Sequence, residues 1–266
     1  TEAELKVTGG DDDGERPDDV VQAEPGEIAV SKLNPSQSSM NIEKAVAFAI
    51  AAIRKASPFP EGPGGDLGAI ITSDNHIMDG HHRWVATAMV DPTAKIGGYG
   101  VEFPADKLIP VLNALTVGRF GVTAGKPATG GFDQFKEAPI RAQLEAYLQN
   151  GAYQMDPEQV QATIEKFTGE VGEAAVDAAV DKFVENLSAV KFDLPGAAPS
   201  REDMPVIDEP NVPTAVAALS AGEVDVNEPY GWEEGEEKES TATESQHAEG
   251  DLVLERWRKL AGLLNG

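Results

Sequence analysis

The sequence contains no cysteine among its 266 residues, and it has no long hydrophobic run. The first absence excludes disulfides, thiolate metal ligands and thiol nucleophiles. A membrane-spanning helix needs about 20 mainly apolar residues in succession, so the second absence excludes an ordinary span. The chain starts with Thr1, Glu2 and Glu4 rather than with basic residues, and we therefore expect no signal peptide. These features predict a soluble protein.

Basic residues are scarce too, because 21 Lys and Arg stand against 46 Asp and Glu, for a net charge of -25. Residues 1–30 carry 10 acids and 2 bases, residues 151–266 carry 25 acids and 8 bases, and residues 31–150 carry 11 of each. Binding to duplex DNA depends on Lys and Arg that neutralise phosphates. We therefore expect no binding to duplex DNA, and we expect the acidic ends to keep the chain in solution.

The apolar residues between the acidic ends follow the two periods of secondary structure. Alternation predicts strands at 27–33 and 95–103, and a hairpin that joins 67–71 to 76–78. Helical spacing predicts helices at 41–56, 81–90, 105–118 and 132–151, the third with a kink at Pro110. Strands and helices interleaved in this way indicate a mixed-sheet α/β (α+β) domain.

The remaining segments complete the predicted organisation. Asp156, Pro157 and Gln159 have the order of an N-cap, a first helical residue and a capping-box partner, and a second helix follows at about 171–190. We therefore divide the chain into an acidic disordered arm at 1–26, the α/β domain at 27–150, a helical hairpin at 151–192, an acidic proline-rich linker at 193–250 and an amphipathic helix at 251–266.

A histidine-rich stretch lies where the predicted hairpin meets the next helix. Three of the four histidines, His76, His81 and His82, fall within seven residues, and Arg83 follows them directly. Free backbone N–H groups and the positive end of the helix dipole meet at the start of such a helix, which favours an anion. Gly80 lets the backbone approach a ligand closely, and Arg83 offers a fork of donors to phosphate oxygens.

The residues on either side of Gly80 indicate which kind of ligand this stretch would bind. Asp79 is suited to accept a hydrogen bond from an imidazole, or to hold a metal ion that accompanies a nucleotide. Adjacent residues on a helix point about 100° apart, so His81 and His82 are not expected to share one metal ion. The stretch therefore predicts a phosphate site rather than a structural zinc site.

The segment "IMDGHHRWVATA" resembles the phosphate-binding motif of the ParB/sulfiredoxin superfamily. It keeps the glycine, the last arginine, the aromatic residue and the alanine of the ParB motif at positions 80, 83, 84 and 86, and the upstream "NPSQ" is similar to the NPxQ box of ParB. His81 stands where sulfiredoxin has its cysteine, which excludes sulfinic-acid repair. No basic recognition helix follows, so loading onto centromere-type DNA is not expected.

The resemblance implies a ParB-like nucleotide-binding domain of the kind found in tailed-phage genomes, with ATP-dependent phosphotransfer or hydrolysis as its activity. ATP or another nucleotide would enter with Mg²⁺. Asp79 or Glu43 would act as the base, and Asp79 would also serve as a metal ligand. The same assignment gives four phosphate ligands: Gly80, His81, His82 and Arg83.

Two other functions stay open. One is a structural or interaction protein of a phage particle, which would keep the fold as a scaffold and make its contacts through the arms. The other is a ParB-like nuclease, which the acidity of the chain opposes. The location would be the cytoplasm, or the virion for a phage-encoded chain. Nothing outside the motif has the spacing of a catalytic site, so the sequence leaves open whether the chain is an enzyme.

The C-terminal segment gives a first testable prediction. Its apolar residues, led by Trp257 with Leu260 and Leu264 at helical spacing, follow an acidic stretch with little to bury. We expect them to anchor the chain to a partner protein or to a second copy. Deleting 251–266 should abolish assembly in size-exclusion chromatography and leave the melting temperature unchanged. A large fall in the melting temperature of the isolated monomer would mean that the segment docks on its own chain instead.

Overall fold

The computed structural model describes residues 23–121, 125–196, 198–205 and 209–220. The strands in this part of the chain are β1 (Ala23–Ala29), β2 (Asn34–Pro35), β3 (Ser39–Met40), β4 (Gly65–Thr72), β5 (His76–Asp79), β6 (Lys95–Val101) and β7 (Gly130–Gly131). The helices are α1 (Ile42–Arg54), α2 (His81–Val90), α3 (Ala105–Phe120), α4 (Glu137–Asn150), α5 (Pro157–Thr168), α6 (Glu173–Leu187) and α7 (Val212–Ser220). This is the mixed α/β class that the sequence predicts.

The main sheet places the start of α2 beside the segment that precedes α1. Its strand order is β1-β6-β4-β5-β2. β4 and β5 form the predicted antiparallel hairpin, β6 lies parallel to β4, and β2 lies parallel to β5. Because β2 and β5 are parallel neighbours, the segments that follow them leave the sheet at the same edge. A small sheet of β3 and β7 then ties the segment after β2 to residues 130–131.

The side chains of the central strands alternate between two hydrophobic layers, as the pleat of a strand requires. Ile71 and Ile77 face the larger layer, which is completed by α1, α2, α4, α5 and α6. Ile70 and Met78 face the smaller layer, which is completed by α3 and α7. The sheet is therefore covered by helices on both faces.

Trp84 on α2 is the largest fully buried side chain of the larger layer. Its ring packs edge-on against Phe132 and Phe192, and Phe183 of α6 belongs to the same core. Helices α5 and α6 form where the sequence predicts a hairpin, and Asp156 and Gln159 form the predicted capping box. The hairpin nevertheless shares the core of the α/β domain instead of standing apart from it.

The first strand begins earlier than the sequence predicts. β1 starts at Ala23, so the last four residues of the predicted arm at 1–26 lie in the sheet, and the predicted strand ends at Ala29 in a 3-10 turn. Pro25 is accommodated because β1 is an edge strand, where one row of backbone N–H groups has no partner strand. Residues 1–22, the rest of the predicted arm, lie outside the described residues.

The predicted linker at 193–250 also needs correction. Met204 and Val212 are buried in the smaller layer, and α7 packs there through Ala215 and Val216. The segment is rich in proline and acidic residues, so its average composition does not reveal these few apolar residues. Residues 221–266, which include the predicted C-terminal helix, lie outside the described residues. Within the described residues, no helix has the length and the apolar character needed to cross a bilayer.

Asn186 on α6 links the helical hairpin to the end of α2. Its Nδ2 donates to the carbonyl oxygens of Met89 at 2.8 Å and Val90 at 3.2 Å, which belong to the last turn of α2. Carbonyls in the last turn of a helix have no partner within that helix, so a side chain that satisfies two of them stabilises the contact.

We predict that Asn186→Ala lowers the free energy of unfolding by about 1–2 kcal/mol, as expected for partly buried hydrogen bonds. Urea unfolding followed by circular dichroism measures this change. Asn150→Ala is the matched control, because Nδ2 of Asn150 donates to the carbonyl of Ala146 in an exposed contact within α4. That control should change the stability by less than about 0.5 kcal/mol. Equal losses in the two variants would contradict a special role for Asn186.

Candidate functional site

β5 and α2 meet at Gly80, whose backbone φ is 97°. This left-handed conformation favours glycine. A Cβ atom at position 80 would also lie 3.4 Å from Nη2 of Arg83 and 3.5 Å from Cβ of Ala69. A side chain here would therefore strain the turn and crowd the guanidinium of Arg83.

Arg83 and Asp79 form an ion pair across this junction. Nη2 of Arg83 donates to Oδ2 of Asp79 at 2.8 Å, and the two side chains are 10% and 29% exposed. A charge-assisted bond of this length orients the guanidinium. The structure thus brings Asp79, Gly80 and Arg83 together, and Asp79 accepts from a guanidinium where the sequence suggested an imidazole.

His81 is buried and bonded to the segment before α1. Its Nε2 accepts a hydrogen bond from the backbone N–H of Ser36 at 3.1 Å, and the hydroxyl of Ser36 donates to the carbonyl of Ile77 at 2.8 Å. An accepting Nε2 places the proton of the neutral ring on Nδ1. Burial, and secondly the charge of Arg201, lower the pKa of His81 to about 3. His81 is therefore neutral at physiological pH.

His82 has the same arrangement one residue later. Its Nε2 accepts from the backbone N–H of Asn41, the N-cap of α1, at 3.3 Å. Burial lowers the pKa of His82 well below 6.5, and the positive charges of Arg201, Lys44 and Arg83 lower it further.

These contacts change the interpretation of the two histidines. The sequence predicts them as phosphate ligands, which favours charged imidazoles, whereas the structure has two neutral rings whose Nε2 atoms bind backbone N–H groups. Their side chains hold the segment 36–41 against the first turn of α2. Their backbone N–H groups are a separate matter: no described residue accepts a hydrogen bond from the backbone N–H of His81 or His82.

Cations from other segments converge on the same region. Lys44 lies in the first turn of α1, and its pKa is lowered first by burial and then by the charges of Arg201, Lys126 and Arg83, while Asp79 acts in the opposite direction. The site thus has a positive character in a chain whose net charge is -25. Sequence analysis misses Lys44, Lys126 and Arg201, because no local motif contains them.

Glu43, the second predicted base, lies in a different environment. Its side chain is exposed, and its backbone carbonyl accepts a hydrogen bond from the hydroxyl of Tyr147 on α4 at 2.6 Å. Burial, and secondly the charge of Glu43, raise the pKa of Tyr147. Glu43 is not among the groups that act on His81 or His82. No hydrogen bond or ion pair of the described residues joins Glu43 to Asp79.

The remaining predicted features are a metal ligand and His76. The described part of the chain has no group of three or more His, Asp or Glu side chains placed to hold a metal ion. Asp79 offers a single carboxylate, and Arg83 already engages it. Nδ1 of His76 lies 3.3 Å from Oδ1 of Asp74, at the hairpin turn. With Asp79 paired to Arg83, the guanidinium and the helix start are better suited to an anion than to a coordinated cation.

The fold and this region together define the class: a helix-covered mixed α/β domain with a positive junction at the start of α2. No family model, curated protein or solved structure matches the chain. The functional assignment therefore depends on the geometry of this junction.

The lowered pKa values of His81 and His82 predict a pH dependence of stability. In the unfolded chain each ring takes up a proton as the pH falls below about 6.5, whereas in the folded chain it stays neutral. The unfolded state then binds more protons, so stability is lost as the pH falls from 6.5. We predict a loss of up to about 1.4 kcal/mol per pH unit for each ring.

Chemical denaturation at pH 6.5 and at about pH 5 measures this loss, above the range where most carboxylates titrate. His82→Gln retains an acceptor for Asn41 but cannot be protonated, so its stability should fall less steeply than that of the wild type. Identical slopes in the two proteins would contradict the assignment of a buried, neutral His82.

Proposed function

We propose that this chain binds the phosphate groups of a nucleotide at the junction of β5 and α2. The observation that carries the proposal is the proximity of four cations in a strongly acidic chain: Arg83, Lys126 and Arg201 act on Lys44, and Arg83, Lys44 and Arg201 act on His82. Arg83 and Arg201 are buried, whereas Lys44 and Lys126 are exposed. Burial of the two guanidiniums and repulsion among the four cations both cost free energy. A bound polyanion would offset that cost.

The ligands of the phosphates follow from the contacts. Arg83, oriented by Asp79, presents a guanidinium, and the backbone N–H groups of His81 and His82 lie in the first turn of α2, where the helix dipole is positive. Lys44 supplies a mobile point charge from α1. In this proposal the backbone of the ParB/sulfiredoxin-like motif and its arginine would bind the phosphates, and the imidazoles would hold the neighbouring segment in place.

The contacts support binding more directly than they support a reaction. Asp79 is engaged by Arg83, and Glu43 lies beside Tyr147, so neither carboxylate is placed as a base by the contacts of the described residues. Mg²⁺ would reach this site with the nucleotide, since phosphate oxygens supply most ligands of such an ion. Phosphotransfer or hydrolysis by this chain stays a prediction.

A thermal-shift and calorimetry experiment tests the proposal. ATP, ADP, CTP and GTP would be added to the full chain with and without Mg²⁺, because a ligand at about 100 times its Kd raises the free energy of unfolding by about 2.7 kcal/mol. We predict stabilisation by at least one nucleotide, and loss of that stabilisation in Arg83→Ala.

The matched control is Arg141→Ala. Arg141 lies on α4, where it pairs with Asp177 and Glu137, so its loss should leave nucleotide binding unchanged. Nucleotide binding that is equal in the wild type and in Arg83→Ala would refute the proposed site, and the absence of binding by the wild type would refute the proposed function.

A further inference from the structure

Residues 198–205 form a strap that crosses the segment before α1. The carbonyl of Pro199 accepts hydrogen bonds from the backbone N–H of Ser38 at 2.8 Å and from its hydroxyl at 3.2 Å. The backbone N–H of Arg201 donates to the hydroxyl of Ser39 at 2.9 Å, a contact between positions 162 apart in the sequence. The strap is therefore fixed to the same segment that His81 and His82 hold from the other side.

Arg201 is the strap residue that enters the positive region. It is only 7% exposed, and its Nε donates to the carbonyl of Pro127 at 3.1 Å. No carboxylate of the described residues forms an ion pair with it, and no described residue accepts a hydrogen bond from its two Nη atoms. Partial desolvation of a guanidinium that has no carboxylate partner among the described residues costs free energy, and it lowers the pKa of Arg201.

The surroundings of Arg201 increase that cost. Its charge acts on His81, His82 and Lys44, and Asp79 is the acid of the described residues that acts favourably on it. Asp79 already accepts a hydrogen bond from Arg83. Arg201 therefore lies beside the proposed phosphate site. No described carboxylate pairs with it, and a bound anion would supply that partner.

We infer that Arg201 is a direct anion ligand, delivered by the strap 198–205, and that it clamps the phosphate groups from the side opposite Arg83. The inference rests on the proposed function and extends it: the ligand would be a di- or triphosphate, because two guanidiniums from separate elements suit an extended polyanion better than a single phosphate. The motif at 79–86 supplies one half of this clamp, and a segment far along the chain supplies the other.

Gly125 allows the strap to dock. Its backbone N–H donates to the carbonyl of Glu202 at 2.9 Å, and a Cβ atom at this position would collide with the carbonyl oxygens of Arg201 and Met204. Gly125→Ala should therefore displace the strap without removing any charge. Gly26→Ala is the matched control, since a Cβ atom there meets nothing within 4 Å.

Calorimetry on the full chain with inorganic phosphate, pyrophosphate and ATP tests the inference. We expect the affinity to rise from phosphate to pyrophosphate. Arg201→Gln should weaken the binding of pyrophosphate and ATP by about 10- to 100-fold, which corresponds to the loss of one or two charge-assisted hydrogen bonds. Arg201→Lys, which retains the charge, should recover part of that loss. The slope of log Kd against log salt concentration should also decrease in Arg201→Gln, because one cation fewer is engaged.

The outcomes separate this inference from the proposed function. Binding that is lost in Arg83→Ala and unchanged in Arg201→Gln would overturn the role of Arg201 and leave the proposed site intact. A wild type that binds none of the three probes would overturn both. If Arg201→Gln does not fold, Gly125→Ala carries the test: weaker binding than in Gly26→Ala supports the clamp, and equal binding overturns it.

Discussion

Two neutral imidazoles that accept hydrogen bonds from the backbone hold the junction together. His81 binds the N–H of Ser36, and His82 binds the N–H of Asn41. These bonds join the start of α2 to the segment between β2 and α1, so the first turns of two helices lie side by side. The burial that lowers the pKa of both rings also preserves their capacity to accept, since a protonated imidazole has only donors.

The local charge of the junction differs in sign from that of the chain. A net charge of -25 describes the molecule from a distance, whereas a group inside it responds to neighbours within a few ångströms, where screening by salt is weak. Lys44, Arg83, Lys126 and Arg201 come from four separate segments and meet only in the folded state. A positive junction in an acidic chain would favour anions here over the rest of the surface.

The smaller hydrophobic layer helps to place the strap beside the junction. Met204 and Val212 are buried against the face of the sheet that carries Ile70 and Met78. Met204 follows Arg201 by three residues, so the burial of its side chain fixes one end of the strap. The hydrogen bonds to Ser38 and Ser39 fix the other end. The packing of Met204 on one face of the sheet thus helps to bring Arg201 to the junction.

Features that depend on neighbours in the chain could be predicted from the sequence. The β4–β5 hairpin, the start of α2 at His81 and the capping box of α5 were all predictable, because turn residues, periodicity and caps act within a few positions. Tertiary contacts were needed to learn which backbone groups the imidazoles bind, that the carbonyl of Glu43 accepts from Tyr147, and that Arg201 comes close to the junction. These results depend on distances between segments that lie far apart in the chain, and local pattern carries no information about such distances.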